Sequence, residues 1–305
     1  MKSVRLHAYE ADPVIEDIAT PKASAGEVLV RVAAASLNPL DVKLQKGFVH
    51  TFFPLAFPYT VGTDLAGTIE AVGVDVSGWA VGERVVARTD PTVGGACAEF
   101  AVVPASYLMK LPDAVAFETA AGVPTAASTA WQALHEAAHL KAGQSVLIHA
   151  GAGGVGSFAI QYAGATGARV IATASGDGVD IAKRLGADQV IDYRAEDFAA
   201  KLSDLDIVLD TIGGETQQRS FGVLRSSGTL FSTVQPPDEA LAKAHGVTAT
   251  FVFHTSDATR LARVVETVAK GTEVLIDRST SLAGFNAAFA HQASGRAKGK
   301  IIVTL

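Results

Sequence analysis

Cysteine is nearly missing from this sequence: Cys97 stands alone among 305 residues, with only two methionines and two tryptophans. A lone cysteine excludes an intrachain disulfide and any zinc site built from several thiolates. It fits a reducing, cytoplasmic setting. Cys97 lies in GGACAEF with no basic residue beside it to activate the sulfur, so it reads as a structural thiol. Charge is sparse too, at 18% of residues, and the net charge is -6. With no Lys- or Arg-rich stripe, that balance argues against a nucleic-acid partner and an anionic membrane surface. The first residues, MKSVRLHAYEAD, contain no apolar core, so no signal peptide is expected. Residues 144–168 carry no charge but are broken by Gly151, Gly153, Gly154, Gly156, Gly164 and Gly167 and hold His149 and Gln161. They are expected to be strand, turn and helix of a buried core, not a membrane span.

Hydrophobic residues make up 49% of the chain, enough for a sizeable core, and the length suggests two domains. The first third reads as strands, among them VLVRVA (28–33), AGTIEAV (66–72) and RVVA (84–87), with glycines at turn spacing. Pro54 and Pro58 predict a loop near residue 50. After Phe117 an Ala-rich stretch reads as helical. Strands SVLIHA, RVIATA, QVIDY, DIVLDT, GTLFSTV and TATFVF then alternate with helices, which argues for a parallel sheet covered on both faces. Ser256 or Asp257 is expected to cap a helix with Leu261, Val264, Val265 and Val268 on one face. A helix near 282–293 and a last strand, IIVTL, close the chain.

The segment HAGAGGVG (149–156) contains G-x-G-x-x-G between an apolar strand and a helix. That context turns a weak pattern into a dinucleotide site, because bare backbone admits a pyrophosphate and a helix start offers free N–H groups. Gly151, Ala152, Gly153, Gly154 and Val155 are the candidate contacts. NAD enzymes of this class usually carry an acid about 20 residues further on. Here Ser175 stands there, which leaves room for a 2′-phosphate and favours NADPH. Asp177 counts against that reading, and Arg194 offers a cation for it.

These residues resemble the medium-chain dehydrogenase/reductases, in particular their zinc-independent quinone oxidoreductase branch. The resemblance rests on SLNPLDVKLQKG (36–47), FPYTVGTDLAGTIEAVG (57–73), GERVVAR (82–88), the glycine loop, LGADQVIDY (185–193) and GKIIVTL (299–305). It implies an α/β chain. A GroES-like β-rich catalytic domain would span 1–118 with 272–305 returning to it, and a Rossmann domain with a doubly wound parallel sheet would span 119–271. The zinc branch carries Cys, then His and Glu after a glycine; here Asn38, Thr63 and Asp64 hold those places. The related enoyl-thioester reductases place a tyrosine acid where this chain has Phe48, which cannot donate a proton.

By the same resemblance, Thr129, Tyr193, Ile212, Thr233, Val234, Phe251 and Phe253 join the glycine loop in holding the cofactor. Asn38 is the candidate catalytic group, offering an amide N–H to an acceptor oxygen, although a turn-stabilising role with Asp41 accounts for it equally. Asp41, Phe48 and Tyr59 fall in the expected substrate-pocket region, with Tyr59 reading as a structural phenol. His135, His139, His245, His254 and His291 show no metal spacing and read as helix-surface residues. The expected protein is an NADPH-dependent reductase of a small electron-poor acceptor, a quinone or an α,β-unsaturated carbonyl, working as a homodimer. A non-catalytic NADPH-binding protein, crystallin-like or RNA-binding, and an enoyl-thioester reductase remain as alternatives.

Overall fold

The computed structural model describes all 305 residues. The chain divides into two compact units, Met1–Thr125 with Ser256–Leu305, and Ala126–Thr255. These limits differ from the expected 118 and 272. The helix Phe117–Ala121 packs on the strands Glu27–Leu37 and Asp64–Val72, and the helix Ala258–Ala269 packs on Leu108–Lys110, so both belong with the first unit.

The first unit is built around the long strand Glu27–Leu37, whose small and β-branched side chains are buried along most of its length. It pairs antiparallel with Asp64–Val72, Phe100–Pro104 and Lys300–Thr304. The sheet continues through Arg84–Arg88 to Leu108–Lys110 on one side and ends at Ile276–Ser281 on the other. Gly67 permits a close approach of two strands: a Cβ there would stand 2.1 Å from the Arg31 carbonyl oxygen. The core gathers Val4, Leu6, Val30, Leu65, Ile69, Phe285 and Ile301. Cys97 is fully buried, and burial pushes its thiol well above the usual range. The tail returns to this unit, with Ile301 facing Leu37 and Thr304 facing Ala34. The edge strand Ile276–Ser281 was not expected from the sequence; its alternation is mostly polar and exposed, so it lacks the apolar signature of a strand.

The second unit is a six-stranded parallel sheet ordered Gln189–Asp192, Arg169–Ala174, Ser145–Ile148, Leu205–Asp210, Leu224–Ser232, Thr248–Phe251. The chain starts in the middle and winds outward both ways, the arrangement of a dinucleotide-binding sheet. The Ala-rich stretch after Phe117 forms Phe117–Ala121 and Pro124–Trp131, parted where Pro124 lacks an N–H to continue the first helix. A π-helical turn, Gln132–Ala137, follows, closed by the Ala138 N–H on the Ala133 carbonyl at 2.9 Å. No helix is long and apolar enough to cross a membrane.

The turn from strand Ser145–Ile148 into helix Gly154–Thr166 depends on missing side chains. A Cβ on Gly156 would lie 2.1 Å from the Ala150 carbonyl oxygen, and one on Gly151 would lie 2.8 Å from the Ala172 Cβ. Gly156→Ala is therefore expected to destabilise the fold by about 1–3 kcal/mol, the usual cost of overpacking. A thermal melt reads this directly, and an unchanged midpoint would contradict the close packing.

Candidate functional site

The parallel sheet brings most of the expected cofactor residues to one edge. The register pairs Ala174 with Asp192, Ala172 with Ile148, Ile148 with Leu209, Asp210 with Ser232 and Ser232 with Phe251. The strands therefore end together. The segments 149–156, 175–178, 193–194, 211–213, 233–235 and 252–253 leave from that carboxyl edge, where open parallel sheets bind ligands.

Helix Gly154–Thr166 starts at Gly153, an extended N-cap residue with no side chain to cap it. The first-turn N–H groups lack partners within the helix and concentrate positive potential, a setting that suits an anion. The loop itself is pinned from behind. The Gly151 N–H donates to the Thr173 carbonyl at 2.8 Å, and the Gly153 N–H to Ala150 at 2.8 Å. Ala150 adopts a positive φ of 51° to make the turn. Ala152 is buried and Val155 is half-buried.

At the neighbouring strand ends, the Ser175 hydroxyl donates to the Tyr193 hydroxyl at 2.8 Å. Tyr193 is 56% exposed and Arg194 is exposed beside it. Asp177 lies at the start of helix Gly178–Arg184, also exposed. On the other side, buried Asp210 shapes the next loop. Its Oδ1 accepts the N–H groups of Ile212 and Gly213 at 2.9 and 2.8 Å, and its Oδ2 accepts from Gln217 and Ser232. Ile212 is left 53% exposed. Thr233 and Val234 are half-buried, and Phe251 meets the exposed Phe253 edge to face at 6.1 Å. Thr129 is buried within helix Pro124–Trp131.

His149 carried no assigned role, because in the sequence it looks like the end of an apolar strand. Its buried ring bonds Thr173 through Nδ1 at 3.1 Å and Ser220 through Nε2 at 2.9 Å. Burial pushes its pKa down to about 4 against the opposing pull of Asp210, so the ring stays neutral. His135 departs from the expected surface position: it is half-buried, its ring 4.3 Å from that of Trp131.

In the first unit a second polar centre is buried around Asn38. Asn38 precedes helix Pro39–Gln45, and its backbone N–H donates to the Asp41 carboxylate at 2.7 Å. Its side chain turns elsewhere. The carboxamide nitrogen donates to Asp64 Oδ2 at 2.9 Å, and the carboxamide oxygen accepts from the Lys300 ammonium. Lys300 also donates to the Leu37 carbonyl at 3.2 Å and lies 3.6 Å from Asp64 Oδ2. Asp64 accepts further from the Thr125 hydroxyl at 2.6 Å, and Arg88 donates to Thr125 and Ser256. Thr63 is buried, its hydroxyl without a partner. Burial pushes the Lys300 ammonium down, and the carboxylates of Asp64 and Asp41 push it back up. Burial raises Asp41 to about 7, opposed by its bond from Asn38.

Asn38 and Asp41 are thus brought together, while the other two expected pocket residues differ in character. Phe48 is 76% exposed on the loop after the helix. Tyr59 is buried, and its hydroxyl donates to the Pro91 carbonyl at 3.0 Å. Lys300 carried no assigned role, although a lysine opening an apolar strand is itself a signal, since a buried ammonium needs a counter-charge. No group of three or more His, Cys, Asp or Glu side chains is placed to hold a metal ion.

Residues 24–113 match the model of the alcohol dehydrogenase GroES-like domain, and 185–303 that of the zinc-binding dehydrogenases. A chloroplast envelope quinone oxidoreductase homolog of Arabidopsis thaliana is 33% identical over 94% of this chain and 91% of its own. The quinone oxidoreductase of Coxiella burnetii superposes with a TM-score of 0.93 at 29% identity, covering 100% and 99% of the two chains. Mycobacterial Rv1454c, solved in complex with NADPH, gives 0.90 at 29% identity over the full length of both. The chain belongs to the medium-chain dehydrogenase/reductases, in their quinone-oxidoreductase-like branch, and is an oxidoreductase of that family.

The two shifted buried groups act on stability in opposite directions. Folded Asp41 keeps its proton up to about pH 7 while the unfolded side chain loses it near 3.8, so its contribution falls as pH rises through that interval. Folded His149 stays neutral down to about 4 while the unfolded ring protonates near 6.5, so its contribution falls as pH drops. Asp41→Asn should therefore steepen the loss of stability on acidification from neutral pH, by up to about 1.4 kcal/mol per pH unit. Denaturant midpoints measured across that interval test it, and parallel curves for variant and parent would refute it.

Proposed function

We propose that the chain is an NADPH-dependent, metal-free oxidoreductase that delivers hydride to a quinone or an α,β-unsaturated carbonyl. The observation that carries this reading is the uncapped glycine start of helix Gly154–Thr166 at the carboxyl edge of the parallel sheet. A dinucleotide fits there: Gly151–Val155 bring bare backbone to its pyrophosphate, together with the free first-turn N–H groups of the helix. Ser175, Tyr193 and Arg194 take the adenosine end, where two hydroxyls and a guanidinium suit a 2′-phosphate. Thr129, Ile212, Thr233, Val234, Phe251 and Phe253 hold the nicotinamide half. Bound in this way, the cofactor supplies the hydride. The NADPH complex of the mycobacterial relative supports the choice of nucleotide.

The metal-free part rests on the donor set. Where the zinc branch carries thiolate, imidazole and carboxylate, this chain has an amide, a hydroxyl and a carboxylate, and the amide oxygen and the carboxylate already face the Lys300 ammonium. Zinc does not fit such a set. The acceptor must therefore be electron-poor enough to take hydride without a Lewis acid. Asn38 offers an amide N–H to the oxygen that gains charge, and water supplies the proton. The protein would act as a cytoplasmic homodimer on a small molecule, without nucleic acid or membrane.

Purified protein is expected to oxidise NADPH with at least one member of a quinone and enone panel, followed by loss of NADPH absorbance. Tight NADPH binding with no turnover on any acceptor would instead favour a non-catalytic nucleotide-binding role. Ser175→Asp should weaken NADPH binding roughly tenfold or more while sparing NADH, because a carboxylate repels the 2′-phosphate. Equal loss for both nucleotides, read by fluorescence titration, would remove Ser175 from the phosphate site.

A further inference from the structure

The Asn38 carboxamide is the only side chain in its cluster whose two ends can exchange roles. An amide presents an acceptor on one side and two donors on the other, and turning it over interchanges them at almost no steric cost. Here its neighbours allow one orientation. The Lys300 ammonium can only donate, so it must face Oδ1; the Asp64 carboxylate can only accept, so it must face Nδ2. Both neighbours are themselves fixed. Lys300 is held by the Leu37 carbonyl and Asp64 by the Thr125 hydroxyl and backbone N–H. One N–H of Nδ2 is spent on Asp64, and the second makes no bond inside the protein although Asn38 is only 3% exposed.

We propose that Lys300 is a positioning residue for the reaction: with Asp64 it locks the polarity of the Asn38 carboxamide, so that a free N–H always faces the oxygen of the acceptor. The proposal rests on the reading of Asn38 as the group that meets that oxygen. Lys300 adds a second effect. Its positive charge on Oδ1 draws electron density from the nitrogen through the amide, so the remaining N–H becomes a stronger donor to an oxygen gaining negative charge. Were the amide reversed, a carbonyl oxygen would face that developing charge and oppose it. The lock therefore acts on turnover more than on substrate capture.

Removing Lys300 alone leaves Asp64 buried without its cation, which can unfold the protein for reasons unrelated to catalysis. The experiment therefore uses three variants: Lys300→Met, Lys300→Arg and the charge-neutral pair Lys300→Met with Asp64→Asn. Each is measured for NADPH affinity by fluorescence, for melting temperature, and for kcat and KM with NADPH and the quinone or enone that the parent turns over best. The expected result is a kcat roughly tenfold or more below the parent for both Met variants, with NADPH affinity within about twofold. Lys300→Arg, which keeps a charged donor, should recover most of the rate. The paired variant should regain melting temperature without regaining kcat, and it carries the test if Lys300→Met does not fold. A paired variant restored in both stability and kcat would overturn the proposal, leaving Lys300 a structural counter-ion. So would a parent-like kcat in Asn38→Ala. Absence of turnover in the parent itself, with NADPH bound, would instead defeat the functional reading on which the lock depends.

Discussion

A single buried ammonium closes the polar centre of the first unit. Lys300 meets Asn38 across a separation of 262 residues, and its strand runs antiparallel to Ala34–Leu37 so that the two arrive together. Burying a lysine is costly unless it is paired and hydrogen-bonded, and here a carboxylate, a carbonyl and an amide oxygen do that. The same pairing keeps the Asp64 carboxylate tolerable in the interior, and Asp64 in turn organises Thr125 and Asn38. None of these groups is independent of the others, which is why the loss of one is expected to be felt by all.

The second unit solves a different problem, how to leave backbone unsatisfied in an orderly way. Six parallel strands end in register, and the loops beyond them are held from behind rather than from the ligand side. His149 ties Thr173 to Ser220 while its carbonyl accepts from Thr211, and Asp210 gathers Ile212, Gly213, Gln217 and Ser232. Neutral imidazole and buried carboxylate thus set the loop shapes before any nucleotide is present. The open first-turn N–H groups of helix Gly154–Thr166 are what that support leaves free.

Much of this was legible in the sequence, for reasons that differ by element. The parallel strands announce themselves as short apolar runs, and the glycine loop is readable because its constraint is steric: at Gly151 and Gly156 no other residue fits. Ser175 and Tyr193 could be singled out separately, but their hydrogen bond joins two strand ends 18 residues apart and belongs to the fold. The edge strand Ile276–Ser281 was invisible because hydrogen bonding to one neighbour, not apolar alternation, makes it a strand. The environment of Asn38 was hidden for a similar reason. Whether an asparagine caps a turn or serves a site depends on what faces its side chain, and its decisive partner, Lys300, lies at the far end of the chain. The limits of the two compact units differ from the expected domain limits because helices Phe117–Ala121 and Ala258–Ala269 carry no mark of the sheet they pack on.

The distance between Asn38 and Lys300 along the chain also sets an order of events during synthesis. Translation delivers Asn38 and Asp64 early, then the whole nucleotide-binding unit, and the counter-ion only afterwards. Until residue 300 emerges, the nascent first unit carries Asp64 without its lysine and a sheet with an open edge where Lys300–Thr304 will sit. A nascent chain can therefore finish the parallel-sheet unit before the unit that Lys300 closes. The buried polar centre around Asn38 is complete only once the closing strand has been added.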